Sequence, residues 1–129
     1  MKHQQIITLT LVLALAAVLA ACGGSNSSPT ATYKTAYDAM KNKNVAALKK
    51  VMPKKVMAEM EAEAKKQNKS LDDVMNDMMK MSDSKLPKSA ESKDEKIDGD
   101  KATLQVKNEK DEWETVNFVK EDDGWKISG

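Results

Sequence analysis

A single cysteine, Cys22, closes a long apolar run, and a single histidine, His3, precedes it. A thiol in that place can act as a nucleophile, a soft metal ligand or the acceptor of a covalent group. The remaining groups with chemical capacity lie further along. Every methionine except Met1 falls between Met40 and Met81, with Met75, Met78, Met79 and Met81 close together. Thioethers are soft ligands suited to Cu(I), but unbranched methionine also fills irregular gaps in a core. Asp72, Asp73 and Asp77 have the acid content of a calcium site without the alternating oxygens and glycine of a calcium loop, so they read as solvated helix acids. Tyr33 and Tyr37 stand four residues apart, able to line a pocket or to serve as core aromatics with hydroxyls at the rim.

Residues 1–22 have a basic start at Lys2, an apolar run from Ile6 to Ala21 and small residues at its end. The run is too short for the roughly 20 residues of a bilayer-spanning helix and reads as a signal peptide. The phrase Leu19-Ala20-Ala21-Cys22 resembles the lipobox of bacterial lipoproteins. That resemblance implies cleavage before Cys22, transfer of diacylglycerol to its thiol, and acylation of the new N-terminus with a fatty acid such as palmitate. The cysteine would then be a lipid anchor on the membrane, with each buried methylene contributing about 0.8 kcal/mol. Gly23 to Ser28 has the composition of a flexible tether. Glycine at position 23 carries no inner-membrane retention signal. The expected location is the cell envelope, on the outer membrane of a Gram-negative cell or otherwise on the outer face of the cell membrane.

With the leader 1–21 and the lipidated tether 22–28 set aside, residues 29–129 make one small domain with one core. One of the 21 basic residues, Lys2, leaves with the leader, so the mature chain is balanced against its 20 acids. Nucleic acid is therefore not an expected partner, since phosphate binding needs a basic field. The chain contains no arginine, and the mature part has neither histidine nor a spare thiol. Most catalytic schemes lose a member, and no catalytic residue, metal ligand or cofactor is assigned. The lysine pairs Lys49-Lys50, Lys54-Lys55 and Lys65-Lys66 could touch anionic headgroups, although neighbouring glutamates dilute their field.

Four helices and a sheet are predicted to hold these groups. Ser28 and Pro29 start a helix over 29–42, with Tyr33, Ala36, Tyr37 and Met40 on one face. Asn44 caps a short second helix, with Val45, Leu48 and Met52 apolar, that ends near Pro53. A third runs to about Gln67 with Val56, Met57, Met60 and Ala64 as its apolar set. Ser70 caps a fourth, whose stripe is Leu71, Val74, Met75, Met78 and Met79. Beyond residue 92 the period falls to two: Ala102, Leu104 and Val106 alternate with Thr103, Gln105 and Lys107. Asp98-Gly99 signals a hairpin after a weakly apolar edge strand near 90–97. In the run from Glu112 to Lys120, apolar residues fall on both faces, which predicts a bulge or cover on both sides. Asp122-Asp123-Gly124 turns into a last strand at Trp125-Lys126-Ile127. Helices followed by an antiparallel meander make an α+β domain.

The opening TATYKTAYDAMKNKNVAALKKVM and the ending DGDKATLQVKN with TVNFVKEDDGWKIS resemble small bacterial lipoproteins with a nuclear-transport-factor-like, or cystatin-like, cone domain, where a phrase like Gly124-Trp125-Lys126-Ile127 is typical. The resemblance implies a curved sheet wrapped against helices, with a pocket between them that Tyr33 and Tyr37 would line. Relatives include ketosteroid isomerase-like enzymes, whose pocket aspartate, tyrosine and protonated acid find no counterpart here. Three classes of function remain: a non-catalytic module binding a small molecule or an envelope protein, a methionine-rich copper-handling lipoprotein, and a small cone-fold enzyme. The first needs no missing catalyst. The second calls for Met75, Met78 and Met79 to be exposed together.

Overall fold

The computed structural model describes residues 26–129. Four helices, α1 (Pro29–Asn42), α2 (Val45–Val51), α3 (Lys54–Lys66) and α4 (Leu71–Ser82), precede strands β1 (Ser92–Asp98), β2 (Lys101–Lys107), β3 (Trp113–Glu121) and β4 (Gly124–Ile127). The strands form one antiparallel sheet in the order β1-β2-β3-β4. The domain is α+β, as the change of period from 3.6 to two implies.

Three of the four described helices begin where a local side chain satisfies a free N–H group. Ser28 Oγ accepts from Ala31 N–H, Asn44 Oδ1 from Ala47 N–H, and Ser70 Oγ from Asp73 N–H. Helix α3 follows Pro53, which offers no capping side chain. Glu121, at the end of β3, takes that role: both carboxylate oxygens lie 3.3 Å from Lys54 N. The first turn of α1 is held similarly, with Glu95 Oε1 accepting from Thr30 N at 2.9 Å and Thr30 Oγ1 at 3.0 Å. Glu95 is presented by an irregularity in β1, where the register slips between Lys93 and Lys96 and Asp94 takes φ 53°. The bulge thus lies in β1. Strand β3, where apolar residues on both faces predict a bulge or cover on both sides, pairs with β2 without a break from Lys107↔Trp113 to Lys101↔Val119, so the bulge alternative does not hold there.

Helix α1 joins two apolar clusters. Ala36 and Ala39 pack with Leu48, Val51, Met75 and Met79 among the helices. Ala102, Leu104, Val106, Phe118 and Trp125 form the sheet side, with Tyr33, Val116 and Ile127 against them. Burying each of the large members contributes about 1.5–3 kcal/mol. The buried stripe of α1 also includes Thr32, a polar residue that the apolar periodicity passes over. Its hydroxyl donates to the Trp125 carbonyl at 3.3 Å, tying α1 to β4. In α3 only Ala64 is fully buried, while Val56, Met57 and Met60 are half-buried, so this helix presents part of its apolar side outward.

The N-terminal edge of the described chain is fastened. Within the stretch 22–28, Asn26 accepts from Trp125 N–H at 2.9 Å through its carbonyl, and its Nδ2 donates to the Asp123 carbonyl at 3.0 Å. Gly124 makes room for it. A Cβ at that position would lie 2.6 Å from Asn26 Nδ2 and 2.7 Å from its carbonyl oxygen, and φ is +126°.

Candidate functional site

Strand pairing sorts the sheet into two faces. Ala102, Leu104, Phe118 and Ile127 point toward α1, while Thr103, Asn117, Lys96, Lys101 and Val119 occupy the opposite face. On that second face lies the larger concavity, a groove of about 780 Å³ between the sheet and the start of α3. Its size is within the range of small-molecule sites. Pro53, Val56 and Val119 supply apolar surface; Thr103, Asn117 and Ser128 supply hydroxyl and amide groups. Lys55, Lys96 and Lys101 bring ammonium groups, and Asp98 and Glu121 bring carboxylates, of which Glu121 is engaged by the α3 N-terminus. At the far end of the same face Trp113 is 40% exposed, with Lys93 Nζ 4.2 Å and Lys107 Nζ 5.4 Å from its ring centroid.

A smaller pocket of about 240 Å³ lies on the α1 face. Tyr33 and Tyr37 both line it, with Met40, Leu86, Val116 and Ile127. The Tyr37 hydroxyl donates to the Pro87 carbonyl at 2.9 Å, which fixes that ring to the loop before β1. Burial raises the pKa of the Tyr33 phenol, and the neighbouring Tyr37 and Glu114 add to the effect, so the phenol stays a neutral donor well beyond neutrality. The two tyrosines are brought together as the i, i+4 spacing implies. The pocket between them is small and apolar.

The other chemically capable groups are drawn into packing or ion pairs. Met75 and Met79 are fully buried in the helical cluster and Met78 packs against it, whereas Met81 is 79% exposed. The thioethers are therefore not displayed together. Asp72 pairs with Lys49, Asp77 with Lys69 at 3.0 Å, and Asp73 accepts from the Ser70 hydroxyl at 2.7 Å. Among the described residues no three acids, histidines or cysteines converge on a metal-sized space. Of the lysine pairs, Lys65 and Lys66 face Glu61 and Glu63 along α3. Leu19, Ala20, Ala21 and Cys22, the expected cleavage and lipidation residues, lie outside the described residues, as do the others of 1–25.

Two features escape sequence reasoning. The groove needs residues from α3, β1, β2 and β3 together; only the wet alternation of Thr103, Gln105 and Lys107 hints at its floor. The second is Lys126, 2% exposed beside the buried Trp125. Its Nζ donates to the Lys50 carbonyl at 2.6 Å and to Asp123 Oδ2 at 2.9 Å, so the ammonium closes the seam between α2 and β4. The hydrogen bond from Lys126 holds the Asp123 carboxyl below its ordinary range. Compared with protein-family models, curated proteins and solved structures, the chain finds no match.

Proposed function

We propose that this chain is a membrane-anchored lipoprotein of the cell envelope, acylated at Cys22, whose domain is a non-catalytic binding module with its helices and sheet arranged as a cystatin-like cone. The observation that carries the binding role is the groove of about 780 Å³ on the sheet face opposite α1. It combines apolar surface with lysine, amide and hydroxyl donors, the mixture by which a pocket retains and orients a ligand. The mature chain brings no histidine, arginine or spare thiol to that surface, which favours retention of a ligand over its conversion. Anchoring is supported by the basic start, the apolar run and the terminal Leu19-Ala20-Ala21-Cys22. The fastening of Asn26 so soon after Cys22 fits a domain held close to its membrane.

Two measurements test the two halves of the proposal. Metabolic labelling with an alkyne palmitate should mark the wild-type chain and not Cys22→Ala; equal labelling of both, or of neither, refutes the anchor. Native mass spectrometry of the processed protein, gently extracted from its own envelope, should show a discrete retained mass that Thr103→Trp, which fills the groove floor, abolishes. A bare protein mass refutes the carrier role.

A further inference from the structure

Resting on the reading of the domain as a binding module, we infer that the groove holds one anionic membrane lipid, its phosphate met by Lys55, Lys96 and Lys101 and the upper part of its acyl chains laid against Val56 and Val119. The charge argument comes first. Among the described residues none of these three lysines has a carboxylate in ion-pair contact, a state they share with other lysines such as Lys34, Lys41 and Lys120; what sets them apart is that all three line one groove. Two acids also line the groove: Asp98, the strand partner of Lys101, and Glu121, whose carboxylate oxygens are held at the Lys54 N–H, so the lysines outnumber the acids by one. Three lysines lining one groove, Lys55 from α3 and Lys96 and Lys101 from the sheet, favour a phosphate, which lysine binds as a point charge.

The second argument is the apolar strip. Val56 on α3 and Val119 on β3 are half-buried and both line the groove. A free inorganic anion would leave that surface wet, whereas a lipid covers both the charged and the apolar parts.

Position supplies the third argument. Asn26 bonds to the β3–β4 turn at Asp123, and Glu121, two residues earlier, bonds to the start of α3. The anchored end of the domain and the α3 end of the groove are therefore the same end. Cys22 precedes Asn26 by four residues, a reach of at most about 14 Å. With Cys22 acylated, this end of the groove stands at the headgroup layer, where lipid is the most concentrated phosphate-bearing solute.

The processed full chain in neutral detergent micelles, doped with equal amounts of phosphatidylglycerol and phosphatidylcholine, provides the test by native mass spectrometry. One phosphatidylglycerol should be retained per chain, at least tenfold over phosphatidylcholine. Lys55→Gln, Lys96→Gln and Lys101→Gln should each lower retention about fivefold, the equivalent of about 1 kcal/mol per lysine at an anionic surface. Lys65→Gln with Lys66→Gln, on the ion-paired side of α3, should leave it unchanged. Equal retention of the two lipids, equal sensitivity to the Lys65 and Lys66 changes, or displacement by millimolar inorganic phosphate alone overturns the assignment. A non-lipid mass lost in the groove variants, or a second copy of the chain seated there, overturns the lipid and leaves the binding module standing. A bare chain overturns both.

Discussion

Gly124→Ala tests whether the start of the domain is locked to the sheet. The new methyl would meet Asn26 at 2.6–2.7 Å, on both its side chain and its carbonyl, and the backbone at φ +126° is one that L residues rarely adopt. Conformational strain of this kind costs about 1–3 kcal/mol. Relieving the clash by displacing Asn26 sacrifices the Trp125 N–H···O bond and the Asn26 Nδ2···O bond to Asp123, about 1 kcal/mol each. The expected loss is about 3–5 kcal/mol, or a fall in Tm of more than about 10 °C for a domain of this size. Gly99→Ala is the control: φ is +59° and the space around it is open, so strain alone applies, at about 1–2 kcal/mol. Asn26→Ala should cost about 1 kcal/mol, and combined with Gly124→Ala it should cost less than the sum, since both changes break the same contact. Guanidinium unfolding followed by tryptophan fluorescence gives the energies, and hydrogen exchange at the Trp125 amide reports the docking directly. A Gly124→Ala variant within about 0.5 kcal/mol of Gly99→Ala, with the Trp125 amide still protected, would refute the reasoning.

Three further outcomes follow from packing and titration. Met75→Ala should destabilise by about 2–5 kcal/mol because the side chain is fully enclosed, whereas Met81→Ala, on a 79% exposed side chain, should change the urea midpoint by less than about 0.5 kcal/mol equivalent; similar effects would mean that α4 does not pack as described. Asp123 is held below its ordinary value of 3.8 by Lys126, so its contribution is present above that value and is lost as pH falls through the lower, folded one. Asp123→Asn should therefore flatten the acid limb of the stability curve below pH 3.8, and an unchanged slope would rule out this linkage. At the alkaline end, Tyr33 titrates above 10.0, so its contribution is intact below that value and lost as pH rises through the folded one. Tyr33→Phe should remove that part of the alkaline loss, measured by unfolding titrations from neutral to strongly alkaline pH.

The placement of Lys126 shows why a buried charge is tolerated here. The ammonium is out of water, which is costly on its own, but it meets a backbone carbonyl and a carboxylate that remains half in solvent. Those partners come from the α2–α3 side and from the turn before β4, so the interaction joins the helical layer to the last strand. The same end of the domain carries the Asn26 lock and the Glu121 cap of α3. Strand β4 is only four residues long, and these side-chain contacts supply what a longer ladder would otherwise provide.

Local chemistry alone determined the four helices, their caps at Ser28, Asn44 and Ser70, the methionine stripe of α4 and the Ala102-Leu104-Val106 face, because capping and periodicity act within a few residues. Tertiary structure decided the rest. Whether a half-apolar helix such as α3 is covered depends on what packs against it, and the irregularity in β1 accompanies a contact of Glu95 with the α1 N-terminus, a partner 65 residues away. Thr32 and Lys126 read as surface residues by type, and became interior because their polar atoms meet acceptors from distant segments. The groove is the clearest case: its lysines, hydroxyls and valines are unremarkable in sequence, and only strand register and the position of α3 set them around one space.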